Sequence, residues 1–124
     1  MSSDAKPVPG AGEAGLAYLA ELEPDVRAAG IFDSDGRPVA SSAPDLPGFL
    51  EVAPRLLEAV ESASAERGRE FDSCHIALED GEVFAVREAG LTMVAVTERF
   101  VLASLTGFDM RMALRDFLEA ESVA

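Results

Sequence analysis

The stretch Ser73–Thr97 constrains this chain more than any other part of it. It holds three consecutive β-type runs: Cys74–Leu78, Val83–Val86 and Leu91–Val96. Asp80-Gly81 separates the first two runs, and Glu88-Ala89-Gly90 separates the last two. Asp-Gly between two β-prone runs predicts a hairpin with a type I′ turn, because both central residues need positive φ, which Asp tolerates and Gly prefers. The third run has almost no alternation of polar and apolar residues. Strands of that kind are covered on both faces. The stretch therefore reads as a three-stranded meander whose last strand is the middle of a sheet, and the remaining residues must supply its neighbours and covers.

Residues 1–11 contain two prolines, a glycine and small polar side chains, too little apolar surface to offset ordering, and read as a flexible tail. Residues 12–124 read as a single domain, as expected for a chain of 124 residues. Gly12–Glu23 is a short helix by its stripe of Leu16, Leu19, Ala20 and Leu22, and it stops at Pro24. Val26–Ser42 reads as a hairpin, with strands over 28–32 and 37–41. Its turn is Asp33-Ser34-Asp35-Gly36, where Asp and Ser favour the early positions and Gly supplies a left-handed residue. Pro38 has no N–H for a ladder, so the return strand belongs at a sheet edge. Aligned as a calcium loop, the turn would need acidic ligands where Ile31 and Ser42 stand, so Asp33, Asp35 and Gly36 are turn chemistry, like Asp80 and Gly81.

Pro44–Gly68 is the longest helical region. Asp45 is its expected N-cap, and apolar residues recur from Leu46 through Phe49, Leu50, Ala53, Leu56, Leu57 and Val60 to Ala63. Pro54 removes a hydrogen bond inside this pattern and predicts either a kink or a separate first turn before the main helix. Gly68 is placed to end the helix as its left-handed C′ residue. The last segment, 100–120, is helical from about Val101, with apolar residues on two faces. Val101, Leu105, Phe108 and Met112 form one stripe, and Met110, Leu114 and Phe117 form another nearly opposite. One stripe fits the sheet; the other must meet the first helix or another chain. Gly107 lies inside this helix at a cost of about 1 kcal/mol and suggests a close backbone approach.

Composition excludes several function classes. With 23 acidic and 10 basic residues the formal net charge is −13, which repels phosphate backbones and argues against nucleic acid as a partner. No run approaches the roughly 20 apolar residues of a membrane span, so a cytoplasmic location is expected. Cys74 and His75 are the only Cys and His, and as consecutive strand residues they point to opposite faces, which disfavours a thiolate–imidazole pair. One Cys and one His do not complete a tetrahedral metal set. No phosphate-binding glycine loop and no G-x-S-x-G elbow is present. No catalytic residue, cofactor or metal is assigned, and the chain is expected not to be an enzyme.

The order of elements is helix, strand, strand, long helix, three strands, helix. That order, together with Ala29–Ser42, Leu91–Thr97 and Phe108–Arg115, resembles the Roadblock (dynein light chain) family, including its bacterial MglB-type members. The resemblance covers about residues 12–121. It implies an α+β, profilin/longin-like sandwich: a five-stranded antiparallel sheet with the long middle helix on one face and the terminal helices on the other. It also implies homodimers or heterodimers joined edge to edge beside paired middle helices. Such modules are non-enzymatic and scaffold or regulate small Ras-like GTPases, sometimes by stimulating GTP hydrolysis. From the residues themselves, the strand after the long helix can be a sheet edge, and its Cys74, Ile76 and Leu78 guard it poorly. The expected two-fold interface is Phe49, Val52, Leu56, Val60, Phe71, Cys74, Ile76 and Leu78. The alternatives are a small-ligand sensor of the same fold and, behind it, a small enzyme.

Overall fold

The computed structural model describes residues 11–42 and 48–122. Residues 1–10 of the expected tail, and the expected N-cap Asp45 with Leu46, lie outside the described residues, while Ala11, expected in the tail, begins the first helix. Eight elements follow in the order α1 (Ala11–Leu22), β1 (Val26–Phe32), β2 (Pro38–Ser42), α2 (Phe49–Glu66), β3 (Ser73–Ala77), β4 (Glu82–Glu88), β5 (Leu91–Thr97) and α3 (Ala103–Ser122). The strands form one antiparallel sheet ordered β2-β1-β5-β4-β3. The near-continuous apolar run is thus the central strand, as its pattern predicts, and Pro38 sits on the outer strand β2 opposite a bulge at Ile31/Phe32.

Strand alternation divides the core into two layers. On one face Ala29, Ile31, Phe84, Val86, Met93 and Ala95 pack beneath Leu16 and Leu19 of α1 and Met110, Ala113, Leu114 and Phe117 of α3. On the other, Ala28, Phe32, Ala85 and Val94 pack beneath Phe49, Ala53 and Leu57 of α2, with Phe71 at the side. Gly30 lets α2 approach: a Cβ there would stand 3.1 Å from the rings of both Phe32 and Phe49. The chain is the expected α+β sandwich, a five-stranded antiparallel sheet with the middle helix on one face and the terminal helices on the other.

Local signals set most boundaries. Asp33 Oδ1 accepts from the N–H of Asp35 and of Arg37, both at 2.9 Å, and Gly36 carries φ 80°. That is the Asx turn the sequence spells. At the end of α2, Gly68 (φ 68°) donates to the Ala65 carbonyl and Arg69 to that of Ser64, a Schellman motif. The start of α2 corrects the expected one: Gly48, in the left-handed region at φ 89°, is the N-cap, and the helix begins at Phe49. Pro54 does not divide α2, which runs unbroken from Phe49 to Glu66. The Leu50 carbonyl loses a donor, while the Pro54 ring is covered by the β1–β2 turn, whose Gly36 would place a Cβ 3.4 Å from it. Of the stripe expected in α1, Leu16 and Leu19 enter the core, whereas Ala20 and Leu22 are exposed.

The type I′ turn expected at Asp80-Gly81 falls at the other turn of the meander. None of residues 78–81 has positive φ, so Asp80-Gly81 does not form a type I′ turn; that loop closes with Leu78 N–H donating to the Gly81 carbonyl at 2.8 Å. Gly81 is required for proximity instead, since a Cβ would lie 2.5 Å from the Thr97 carbonyl oxygen. The type I′ signature falls on Ala89-Gly90, with φ of 49° and 83° between the paired Glu88 and Leu91.

Antiparallel packing of α1 on α3 buries a second long-range feature. Glu23, just past α1, accepts from the Thr106 hydroxyl at 3.0 Å, and its other carboxylate oxygen is buried without a donor beside Asp109. Two carboxylates can bond each other only when one holds a proton. Burial, and then the Asp109 carboxylate, push the Glu23 pKa from 4.5 to about 7.

Gly81→Ala is expected to lower stability by about 2 kcal/mol through overpacking against fixed backbone, whereas Ala89→Gly is expected to raise it by about 1 kcal/mol by relieving a left-handed alanine; urea unfolding measures both. A raised carboxyl pKa keeps the folded state protonated where the unfolded state has ionised, so the Glu23 contribution is whole below pH 4.5 and lost as pH rises to about 7. Urea midpoints across that window are expected to fall in the wild type and to fall less in Glu23→Gln.

Candidate interaction surface

The edge strand β3 is paired only with β4, leaving its outer backbone without a strand partner within the described chain. Its side chains alternate across the sheet. Cys74 and Ile76 lie opposite Ala85 and Val83 on the α2 face; Ser73, His75 and Ala77 lie opposite Val86, Phe84 and Glu82 on the α3 face. The structure therefore separates Cys74 from His75, as consecutive strand positions require. Cys74 packs against the α2 layer, and burial pushes its thiol pKa up, which makes it a small apolar group.

His75 stacks flat on Phe84, with ring centroids 4.4 Å apart, and its Nε2 lies 2.6 Å from Glu82 Oε1. The other oxygen of Glu82 accepts from the Phe100 N–H at 2.5 Å. The His75 hydrogen bond, assisted by that N–H, holds the buried Glu82 carboxyl below its ordinary value. Phe100 is itself held at φ 65°, a left-handed conformation costly for an aromatic residue, with its ring 84% exposed. One buried carboxylate thus links the sheet edge to the loop entering α3. No sequence signal marked Glu82, since it stands as one acid among 23.

Of the eight residues expected at the subunit seam, six reach the surface on one side of the molecule. Val52 is 59% and Leu78 52% exposed; Leu56, Val60, Cys74 and Ile76 are half-buried. Phe49 and Phe71 are buried in the core beneath them. Phe49 is drawn inward because α2 begins there, directly over Gly30. Two depressions lie beside α2 on this side, the first apolar and the second rimmed by Arg67, Arg69, Glu70 and Asp72. One, of about 230 Å³, is lined by Val52, Leu56, Val83 and Val96; the other, of about 470 Å³, reaches from Val60 and Ala63 to Phe71 and Cys74. The turn residues Asp33, Asp35 and Gly36 lie elsewhere, around a cleft of about 250 Å³ with Pro54, Glu61 and Arg87. Arg87 bridges the layers there: it pairs with Glu61 at 2.7 Å and lies over the Phe71 ring.

On the opposite face, Arg111 pairs with Glu88 at 2.6 Å and Asp72 at 3.2 Å, and Arg115 reaches Glu88 at 3.3 Å. These guanidiniums, Arg111 first, hold the Glu88 carboxyl below its ordinary value. Among the described residues no three His, Cys, Asp or Glu side chains form a group able to hold a metal ion, and no helix is long and apolar enough to cross a membrane.

No family model and no curated protein matches this sequence. Solved structures do match its fold: they are Roadblock domains, MglB proteins among them. The gliding protein MglB of Thermus thermophilus aligns at TM-score 0.76 with 13% identity over 100% of this chain and 95% of its own. An MglB in a tetrameric arrangement aligns at 0.72 with 16% identity, covering 97% and 99%. The Roadblock/LC7 domain of Streptomyces avermitilis aligns at 0.71 with 17% identity, covering 83% and 91%.

A depressed carboxyl pKa stabilises the fold above the ordinary carboxylate range and is lost as pH falls through it. Wild-type stability is expected to decline below about pH 4.5 more steeply than that of Glu82→Gln, as read from thermal melts across the acid range.

Proposed function

We propose that this chain is a non-enzymatic interaction module that forms a homodimer through β3 and α2 and, as the dimer, binds and regulates a small Ras-like GTPase. The observation that carries the reading is the coincidence of an unpaired strand edge with exposed and half-buried apolar side chains on that strand and on α2. The β3 backbone is open on its outer side, Cys74, Ile76 and Leu78 line that edge, and Val52, Leu56 and Val60 continue the surface along α2. A two-fold axis beside β3 would extend the sheet across both copies and set the two α2 helices side by side, each filling the depressions flanking the other. Phe49 and Phe71 would support this seam from beneath. Fold-level likeness to MglB structures, one of them in a tetrameric arrangement, supports self-association.

Light scattering on a size-exclusion column is expected to give a dimer for the wild type and a monomer for Ile76→Asp, because a buried unpaired carboxylate in the seam costs several kcal/mol. The wild type is further expected to bind a Ras-like GTPase from its own genome with different affinity for the GDP and GTP forms. A monomeric wild type, or a dimer indifferent to every such GTPase, overturns the respective half of the proposal.

A further inference from the structure

The hydrogen-bond register of β3 determines which of its backbone groups face outward. The Leu78 N–H donates to the Gly81 carbonyl, and the Arg87 N–H donates to the Asp72 carbonyl. Leu78 and Asp72 are therefore both bonded positions in the ladder between β3 and β4. Bonded and non-bonded pairs alternate along an antiparallel ladder. Between those two ends, Cys74 and Ile76 are then the residues bonded to β4, opposite Ala85 and Val83. Ser73, His75 and Ala77 turn their N–H and C=O groups the other way, to the open side of the sheet. The strand spans Ser73–Ala77, so His75 is the midpoint of this open set.

An edge of this kind is completed by another strand. A second copy of β3 fits it by symmetry. The two-fold axis that sets two α2 helices side by side runs the two β3 strands antiparallel, and each bonded pair then exchanges two hydrogen bonds. With the axis at His75, Ser73 bonds Ala77 of the second copy, His75 bonds its own counterpart, and every outward group of the strand is used. With the axis at Cys74, Ala77 is left to Phe71; with the axis at Ile76, Ser73 is left to Glu79. Both of those partners lie beyond the strand, and the Glu79 carbonyl already accepts from Arg99 at 3.2 Å. Segments of the chain outside the described residues match the edge less well. Residues 1–10 contain Pro7 and Pro9, and residues 43–47 contain Pro44 and Pro47, none of which has an N–H to donate.

The side chains agree with the register centred on His75. On the α2 face it sets Cys74 opposite Ile76 of the second copy. That is a non-bonded pair, whose Cα atoms approach to about 4.5 Å, so the half-buried apolar side chains of one copy cover those of the other. On the α3 face it brings the two His75 residues together, flanked by the small Ser73 and Ala77. Both ring contacts of His75 are with β4: the Glu82 carboxylate at 2.6 Å and the Phe84 ring at 4.4 Å between centroids. They hold the imidazole on the inner side of the strand, and so keep the axis clear.

We propose that two copies of this chain join β3 to β3 with the two-fold axis through His75, so that Cys74 of each copy faces Ile76 of the other. The inference rests on the seam proposed above and fixes its register. In this register the single cysteine does not face its own counterpart, and the dimer is held without a disulfide.

Disulfide trapping reads the register, with oxidised glutathione as the oxidant, non-reducing gels as the readout and light scattering of the reduced proteins as the control. Ile76→Cys is expected to trap a covalent dimer, because its new thiol stands opposite Cys74 of the other copy at a spacing that a disulfide bridges. Adding Cys74→Ser to that variant is expected to abolish trapping, and the wild type is expected not to trap. Asp72→Cys with Leu78→Cys, in the Cys74→Ser background, places thiols at the next non-bonded pair, on exposed positions that do not disturb the core, and is expected to trap as well. Trapping of the wild type puts the axis at Cys74, and trapping of Ile76→Cys that survives Cys74→Ser puts it at Ile76. Either result overturns the proposal, as does a wild-type dimer in which neither pair traps. A monomeric wild type overturns the seam itself, and a wild type that dimerises only after removal of residues 1–10 gives the edge to that segment and overturns the proposal too.

Discussion

The constraint that organises this molecule is that its central strand must be sealed on both faces. Met93, Val94 and Ala95 of β5 are essentially inaccessible, and they alternate between the two layers. A strand of this kind cannot lie at an edge or on an open face without exposing apolar surface to water. It therefore needs β1 and β4 as neighbours, α1 with α3 on one side, and α2 on the other. Each of those elements carries the side chains that meet it: Met110, Leu114 and Phe117 from α3, and Phe49, Ala53 and Leu57 from α2.

The two covers are not equivalent, and the surface chemistry follows from the difference. Two helices share one face and pack densely, burying even the Glu23–Asp109 pair between them. A single helix covers the other face and leaves depressions beside it, one lined by Val52, Leu56, Val83 and Val96 toward its start and one reaching Val60 and Cys74 toward its end. The edge strand β3 lies beyond both covers. Its two faces consequently look onto different surfaces, the α2 side through Cys74 and Ile76 and the α3 side through His75, and Glu82 ties the latter to the loop carrying Phe100. Arginines fasten the meander to both layers, Arg87 to α2 and Arg111 to α3.

What could be read from the residues was local. Alternation, turn chemistry and capping act within a few positions of chain, so the meander, the Asp33 turn, the edge position of Pro38 and the Gly68 cap were legible. The start of α2 was not, because Gly48 acts as N-cap through its left-handed backbone, without the side-chain acceptor that marks a cap in sequence. The two-sided pattern of α3 was legible as a pattern, but which side the chain itself would cover was not. Most of the expected seam residues lie together at the surface, while Phe49 and Phe71 lie inside, since periodicity places a residue on a helix face but does not say how far that face turns inward.

By itself, the sequence determined the elements, their order and the burial of β5, because the periodicity of apolar side chains is written directly in the chain. Tertiary structure alone decided what each ambiguous residue is for. Gly81 is a glycine because the Thr97 carbonyl passes where its side chain would be, not because of its own turn. The type I′ conformation falls instead on Ala89-Gly90, where β4 and β5 must join in register. Glu23 differs from the other acids through Asp109 and Thr106, and Glu82 through the Phe100 amide, all brought from distant parts of the chain, together with His75 on the paired strand. Such pairings depend on distances across the packed core, and no local rule of sequence carries them.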